Sequence, residues 1–375
     1  MSEKMSFILT YELKQETPII HFQHNQSGAT LRATEVKPKL DRFIIKKLGG
    51  AKNVNKDWFV KETEALNYKM QISATGEPKT VELGMKTPYD IFYGNMRNSP
   101  NQKKGIVCDS KLNIVCTIVE LREFIDKIIS EFFVVTNFGT MQNKGFGSYT
   151  VKNRTLKPWD IPHYLKEHYG AEKCYNFPGG AEPFSRIKTI YSMMKSGVNF
   201  RGYQRSYLFL YMHGPEYKIC NEKAALKQKK LVPAIGKNKD KADVNKDGHA
   251  HKYVRALLGV CDHLEFINDI ENKKDKTTVK VSSCDNEAIA RLQSPIFFKV
   301  INGNVYFVAG RINPKIYGAE FDFSTPRGNV KLRVPDKTEL GDAFIDKFLA
   351  YSVNELNKSG LSKFDVTKNI KIQEV

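Results

Sequence analysis

The tightest constraint in this sequence is the order of its apolar segments over the first 150 residues. Residues 6–14 (SFILTYELK) alternate apolar and polar side chains, the two-residue period of a half-buried strand. Thr17-Pro18 ends this run, because the residue before a proline is pushed toward extended conformations. Leu40, Phe43, Ile44 and Leu48 then recur at helical spacing, which predicts a helix over residues 31–48. Pro38 is expected in its first turn, where a missing N–H costs nothing, and Gly49-Gly50 stops it. Residues 65–73 and 105–119 read as strands, separated by a segment rich in Gly, Pro and Asn. Leu121, Phe124, Ile125, Ile128, Ile129 and Phe132 form one stripe of a second helix, and residues 148–151 make a short strand. Strand, helix, two strands, helix, strand is the βαββαβ pattern of a ferredoxin-like unit.

The rest of the chain is also mixed. Residues 155–199 carry Pro158, Pro162, Pro178 and Gly179-Gly180, and a domain boundary is expected at their start. This gives residues 1–154 and residues 155–375 as two domains, in line with about 100–200 residues per domain. Residues 289–301 and 304–311 predict a hairpin around Asn302-Gly303, and residues 340–356 a closing helix. Helical stretches are expected at 216–230 and 251–260, and a polar surface loop at 236–248. The fold class is therefore α+β, with a second domain of the same ferredoxin-like type, although no internal repeat is visible in the sequence.

Charge narrows the partner. Fifty-nine Lys and Arg against 41 Asp and Glu leave a net charge of +18 over 375 residues. Such an excess fits a polyanion. Two stretches concentrate it: residues 221–255, and residues 32–47 with Arg32, Lys37, Lys39, Arg42, Lys46 and Lys47 against Glu35 and Asp41. No run approaches the roughly 18 apolar residues of a membrane span, and the N-terminus lacks a signal-peptide core. A cytoplasmic protein bound to nucleic acid rather than to a membrane is expected. The six cysteines form no CxxC pair and read as free, mostly buried thiols. Asp243, Asn245 and Asp247 open like a calcium loop, but its twelfth position is Val254. His249 and His251 lack a third ligand at a suitable spacing, so no metal or cofactor is expected.

Two segments carry candidate chemistry. Gly139, Gly145 and Gly147 fall within nine residues, between the second helix and the last strand of the first domain. Exposed N–H groups in such a turn form an anion-binding concavity, Lys144 adds charge, and Phe146 can stack or pack. The alternative is a tight turn. The second segment, residues 17–47, sets His21, Phe22 and His24 beside Arg32, Lys37, Lys39 and Arg42 at a loop–helix junction. Cations there neutralise phosphate and rings stack on bases. The alternative is a solvated helix face.

Both segments, in this order within a βαββαβ unit, resemble the RAMP superfamily, the ferredoxin-like RNA-binding subunits of type III CRISPR effector complexes. The resemblance rests on Gly28, Leu31-Arg32-Ala33-Thr34, Val36-Lys37 and Arg42, then on Gly145-Phe146-Gly147-Ser148. Residues 255–259 and 291–299 are similar to the corresponding stretches of the first-subunit family of the type III-B (Cmr) complex. Ala33 and Pro38 stand where the superfamily often has glycine, and Lys144 is the single basic residue of the loop. The resemblance implies a non-catalytic RNA-binding subunit of an antiviral ribonucleoprotein. Its partners would be guide RNA, target RNA and other RAMP subunits, with contacts near the guide 3′ end. Arg32, Lys37, Lys39, Arg42 and Lys144 are expected on phosphates. Gly139, Gly145 and Gly147 would allow close backbone approach, beside Phe146. Two alternatives stay open. One is a metal-free endoribonuclease that uses His21 or His24 as general acid or base. The other is a basic scaffold unrelated to CRISPR.

Overall fold

A computed structural model of the chain describes residues 7–21, 30–84, 87–90, 104–199, 203–233, 248–268, 275–284, 289 and 292–375. Phe22, His24, Gly28, residues 236–247 and Arg291 lie outside the described residues.

The first unit follows the predicted order. Strand β1 (Ile8–Gln15) leads to helix α1 (Ala33–Lys47), then to β2 (Lys69–Ala74), β3 (Ser110–Val115), helix α2 (Val119–Val135) and β4 (Tyr149–Val151). In space the strands run β2-β3-β1-β4, all antiparallel. That is the fourth-first-third-second order of a ferredoxin-like unit. The alternation in β1 sends Tyr11 and Leu13 inward, and β3 contributes Leu112 and Ile114. Helix α1 meets them with Val36, Leu40, Phe43 and Ile44, and α2 with Leu121, Ile125, Ile129 and Phe132. Each such side chain, fully buried, is worth about 1.5–3 kcal/mol.

Two boundaries differ from expectation. Helix α1 starts at Ala33, so Pro38 sits in its second turn and leaves the exposed Thr34 carbonyl without an intrahelical donor. The strand expected over 105–119 is broken at Cys108-Asp109. Its first part, Lys104–Val107, pairs with Lys79–Glu82 in a side hairpin, and only the second part joins the main sheet.

Helix α3 (Asp160–Tyr169) packs on α2 and buries Ile161 and Leu165 in the first core. The second sheet begins after it, at β5 (Cys174–Pro178), and continues with α4 (Pro183–Lys195), β6 (Ile296–Ile301), β7 (Asn304–Ala309), α5 (Phe344–Glu355) and β8 (Gln373–Glu374). Its order is β6-β7-β5-β8, again second-third-first-fourth. The repeat is topological. It is hidden in the sequence by insertions at 196–295 and 310–343, which together build a third four-stranded sheet from His263–Ile267, Lys276–Ser283, Glu320–Thr325 and Gly328–Arg333. The β6–β7 turn has positive φ at both Asn302 (47°) and Gly303 (74°), as a two-residue hairpin requires. Within the first insertion, the helices expected at 216–230 and 251–260 are shorter. They are Glu222–Gln228, behind a strand Ile219–Asn221, and a single 3-10 segment Val254–Leu258.

Candidate nucleic-acid interface

The glycine-rich segment joins the two sheets. β6 is an edge strand, and its unpaired groups are taken up by residues 137–148. The Phe298 N–H donates to the Asn143 carbonyl at 3.1 Å, Asn137 Nδ2 donates to the Phe298 carbonyl at 2.9 Å, and Ser148 Oγ donates to the Val300 carbonyl at 2.7 Å. Such an approach needs glycine. Gly147 has φ of 66°, and a Cβ there would lie 1.9 Å from the Phe138 carbonyl oxygen.

This packing places the expected contact residues of the loop within the fold. Phe146 is buried and stacks on Phe184 of α4 with ring centroids 3.9 Å apart, so it offers no face to a base. The Lys144 ammonium is sealed over the Tyr191 ring, although the residue as a whole is half-buried. Burial, with a smaller push from Lys195, holds its pKa well below the usual lysine value. Gly139, Gly145 and Gly147 pack against Ile20, Val300 and Phe138 rather than opening to solvent. A second buried amine, Lys299 of β6, crosses into the first unit. Its Nζ donates to the carbonyls of Phe133 (2.6 Å) and Thr136 (2.9 Å) and to Asn137 Oδ1 (3.0 Å). It thereby satisfies carbonyls that the end of α2 leaves without helical partners.

Beside this joint the two units leave a cleft of about 600 Å³. Its walls are α1, the end of α2, the end of α3, the start of β6 and the loop after β7. Lys39, Arg42 and Lys46, three and four residues apart, occupy one face of α1, and Arg311 stands in the opposite wall. Among the described residues, no Asp or Glu lines the cleft.

The four cations are not equivalent. Lys39 is ion-paired with Glu35 at 2.9 Å and also holds the Asn137 carbonyl and Gln142, so its charge is spent within the fold. Lys46 has no acid. Its Nζ donates to the His168 carbonyl at 2.6 Å, and burial together with Arg311 lowers its pKa. Arg42 and Arg311 are exposed and make no hydrogen bond or ion pair among the described residues. His168, at the rim, has its pKa pushed down to about 4, chiefly by burial and then by Lys46 and Lys47. It is neutral near pH 7.

The remaining sequence candidates lie elsewhere. Lys37 points away from the cleft, bonded to Asp41 and the Leu66 carbonyl and set over the Tyr68 ring. Arg32 is exposed at the N-cap position of α1, outside the cleft lining. His21 Nε2 lies 3.0 Å from the Thr30 carbonyl oxygen, likewise outside the lining. Sequence reading counted Lys46 only as part of a charged stretch and missed Arg311. A lone arginine after a strand gives no signal until the units dock.

Residues 6–198 match the Cmr1 N-terminal domain and residues 203–371 match the Cmr1 C-terminal domain. The chain belongs to the Cmr1 family. The RAMP resemblance carried by the two sequence motifs is thereby borne out. No curated protein gives a significant match. Among solved structures, the Cmr1-family chain is similar to the apo crystal structure of Cmr1 from Pyrococcus furiosus, with 11% identity over 91% of this chain and 97% of that one and a TM-score of 0.42. It is also similar to a chain in the cryo-EM structure of the Type III-B Cmr-beta bound to cognate target RNA, with 12% identity and a TM-score of 0.29. There the likeness covers 40% of this chain and 59% of the other, less than two thirds of its length. Among the described residues no helix is long and apolar enough to cross a membrane.

Proposed function

We propose that this Cmr1-family chain is a non-catalytic RNA-binding subunit of a type III-B CRISPR effector, and that its two units, residues 1–154 and 155–375, clasp RNA backbone in the cleft between them. The observation that carries this reading is the set of cations in a cleft that no acid lines among the described residues. Arg311 adds to the electrostatic cost of the Lys46 charge, and a phosphate bound beside them relieves it. Arg42, Lys46 and Arg311 are the proposed phosphate contacts, with Lys39 holding the wall. Sequence choice would then rest with base pairing between guide and target, while the protein holds backbone and shape. Guide RNA, target RNA and sibling RAMP subunits are the proposed partners, near the guide 3′ end and within the cytoplasm.

The test is to purify the complex from its native cell, crosslink it with ultraviolet light and sequence the RNA attached to this subunit. Spacer-derived guide or matching target reads, reduced in an Arg42→Glu variant, support the proposal. RNA unrelated to CRISPR arrays would point to a general scaffold. Discrete cleavage of repeat RNA in chelator, lost in His21→Ala or His24→Ala, would point to a processing enzyme.

A further inference from the structure

The first insertion of the second unit brings together three side chains that are distant in sequence and take no part in the cleft. His213 ends the helix Tyr207–His213, Cys220 lies in the strand Ile219–Asn221, and His249 directly precedes the strand Ala250–Lys252. The two strands pair in parallel with Cys220 opposite His251, which brings His249, two residues before it, close to Cys220. One ligand atom from each residue falls within 4.8 Å of the other two. Cys220 Sγ stands 3.8 Å from His213 Nδ1, and the two imidazole rings are 5.0 Å apart.

We propose that His213, Cys220 and His249 form a binding site for a zinc-class divalent transition metal. Metal–nitrogen bonds of about 2.0–2.1 Å and a metal–sulfur bond of about 2.3 Å make the S–N edge of a tetrahedron about 3.6 Å. The observed sulfur–nitrogen separation is within a few tenths of an ångström of that edge. Two imidazoles and a thiolate select zinc over calcium or magnesium, which take oxygen ligands. Binding deprotonates the Cys220 thiol, with the proton leaving to solvent, so uptake strengthens as pH rises. Three protein ligands leave a fourth tetrahedral position for water. The ion ties the end of one helix to both strands of the parallel pair. The sequence concealed this site. His249 and His251 looked like the pair, whereas the ligands that join His249 lie some thirty residues upstream.

The test uses the full chain without a polyhistidine tag, stripped with chelator and titrated with Co(II). One equivalent should bind with a near-ultraviolet thiolate-to-metal charge-transfer band and tetrahedral ligand-field bands, all displaced by Zn(II). Cys220→Ser and His249→Gln should abolish the bands while Cys284→Ser, an exposed cysteine elsewhere, retains them. Circular dichroism checks that each variant is folded, and His213→Gln substitutes for one that is not. A wild-type chain without the charge-transfer band, or a band that survives Cys220→Ser, overturns the proposal.

Discussion

The glycine-rich joint and the basic face of α1 border one another and both carry lysines, yet the fold treats those lysines in opposite ways. At the joint, Lys144 and Lys299 are drawn inside, one over an aromatic ring and the other among main-chain carbonyls. Across the cleft, Arg42 and Arg311 stay in solvent without an acid partner among the described residues, and Lys46 is held on the His168 carbonyl within the field of Arg311. The difference lies in what surrounds each group. A lysine that meets an exposed edge strand becomes part of the packing. A cation on a helix face without a counter-charge keeps its affinity for an anion. A glycine-rich motif with one lysine can therefore be structural while its plainer neighbour keeps its charges toward solvent.

Several substitutions separate the two regions. The largest effect is expected for Gly147→Val. Its Cβ would collide with the Phe138 carbonyl at a left-handed φ, so the joint cannot close. A loss of more than about 3 kcal/mol in denaturant unfolding is expected. A variant as stable as wild type would show that the loop is not packed as described. Lys299→Met comes next. It leaves the Phe133 and Thr136 carbonyls buried without a donor, at a cost of about 3 kcal/mol in the same assay. A change below about 0.5 kcal/mol would mean that these carbonyls find other donors.

A smaller effect comes from pH. His168 is held neutral, with its folded pKa near 4, below the value of about 6.5 expected when unfolded. Its contribution to stability is therefore complete above about pH 6.5 and is lost as pH falls toward 4. Thermal midpoints of wild type should drop more steeply across that window than those of His168→Gln. Parallel curves would contradict the assigned burial of this ring.

Much of the first unit was legible. The apolar periods of β1, α1 and α2 fix a strand and two helices because each buries one face on the same sheet. Asn302-Gly303 announced its hairpin because few other dipeptides accept positive φ twice. The second sheet was legible only as mixed α and β. Its four strands are separated by insertions that form a sheet of their own, so the topological repeat leaves no period in the sequence. In the candidate site, Arg42 and Lys39 were identified from the charged junction. The orientation of Lys37 and the burial of Lys144 and Phe146 were not, because helix phase and inter-unit docking decide them. Arg311 reaches the cleft through tertiary packing alone.

The central claim is that Arg42 and Arg311, without an acid partner among the described residues, hold RNA backbone in the cleft. It is tested most directly by the salt dependence of RNA affinity in the Arg42→Glu/Arg311→Glu double variant, measured against wild type on a guide-length single-stranded RNA. Lys37→Ala serves as the control, since its amine is already bound to Asp41. The account predicts an affinity loss of more than about tenfold at 0.1 M salt, and a log–log salt slope shallower by about 0.7 for each phosphate no longer neutralised. The thermal midpoint of the double variant should stay unchanged, and Lys37→Ala should bind within about twofold of wild type. A double variant that binds RNA with the wild-type affinity and slope would contradict it.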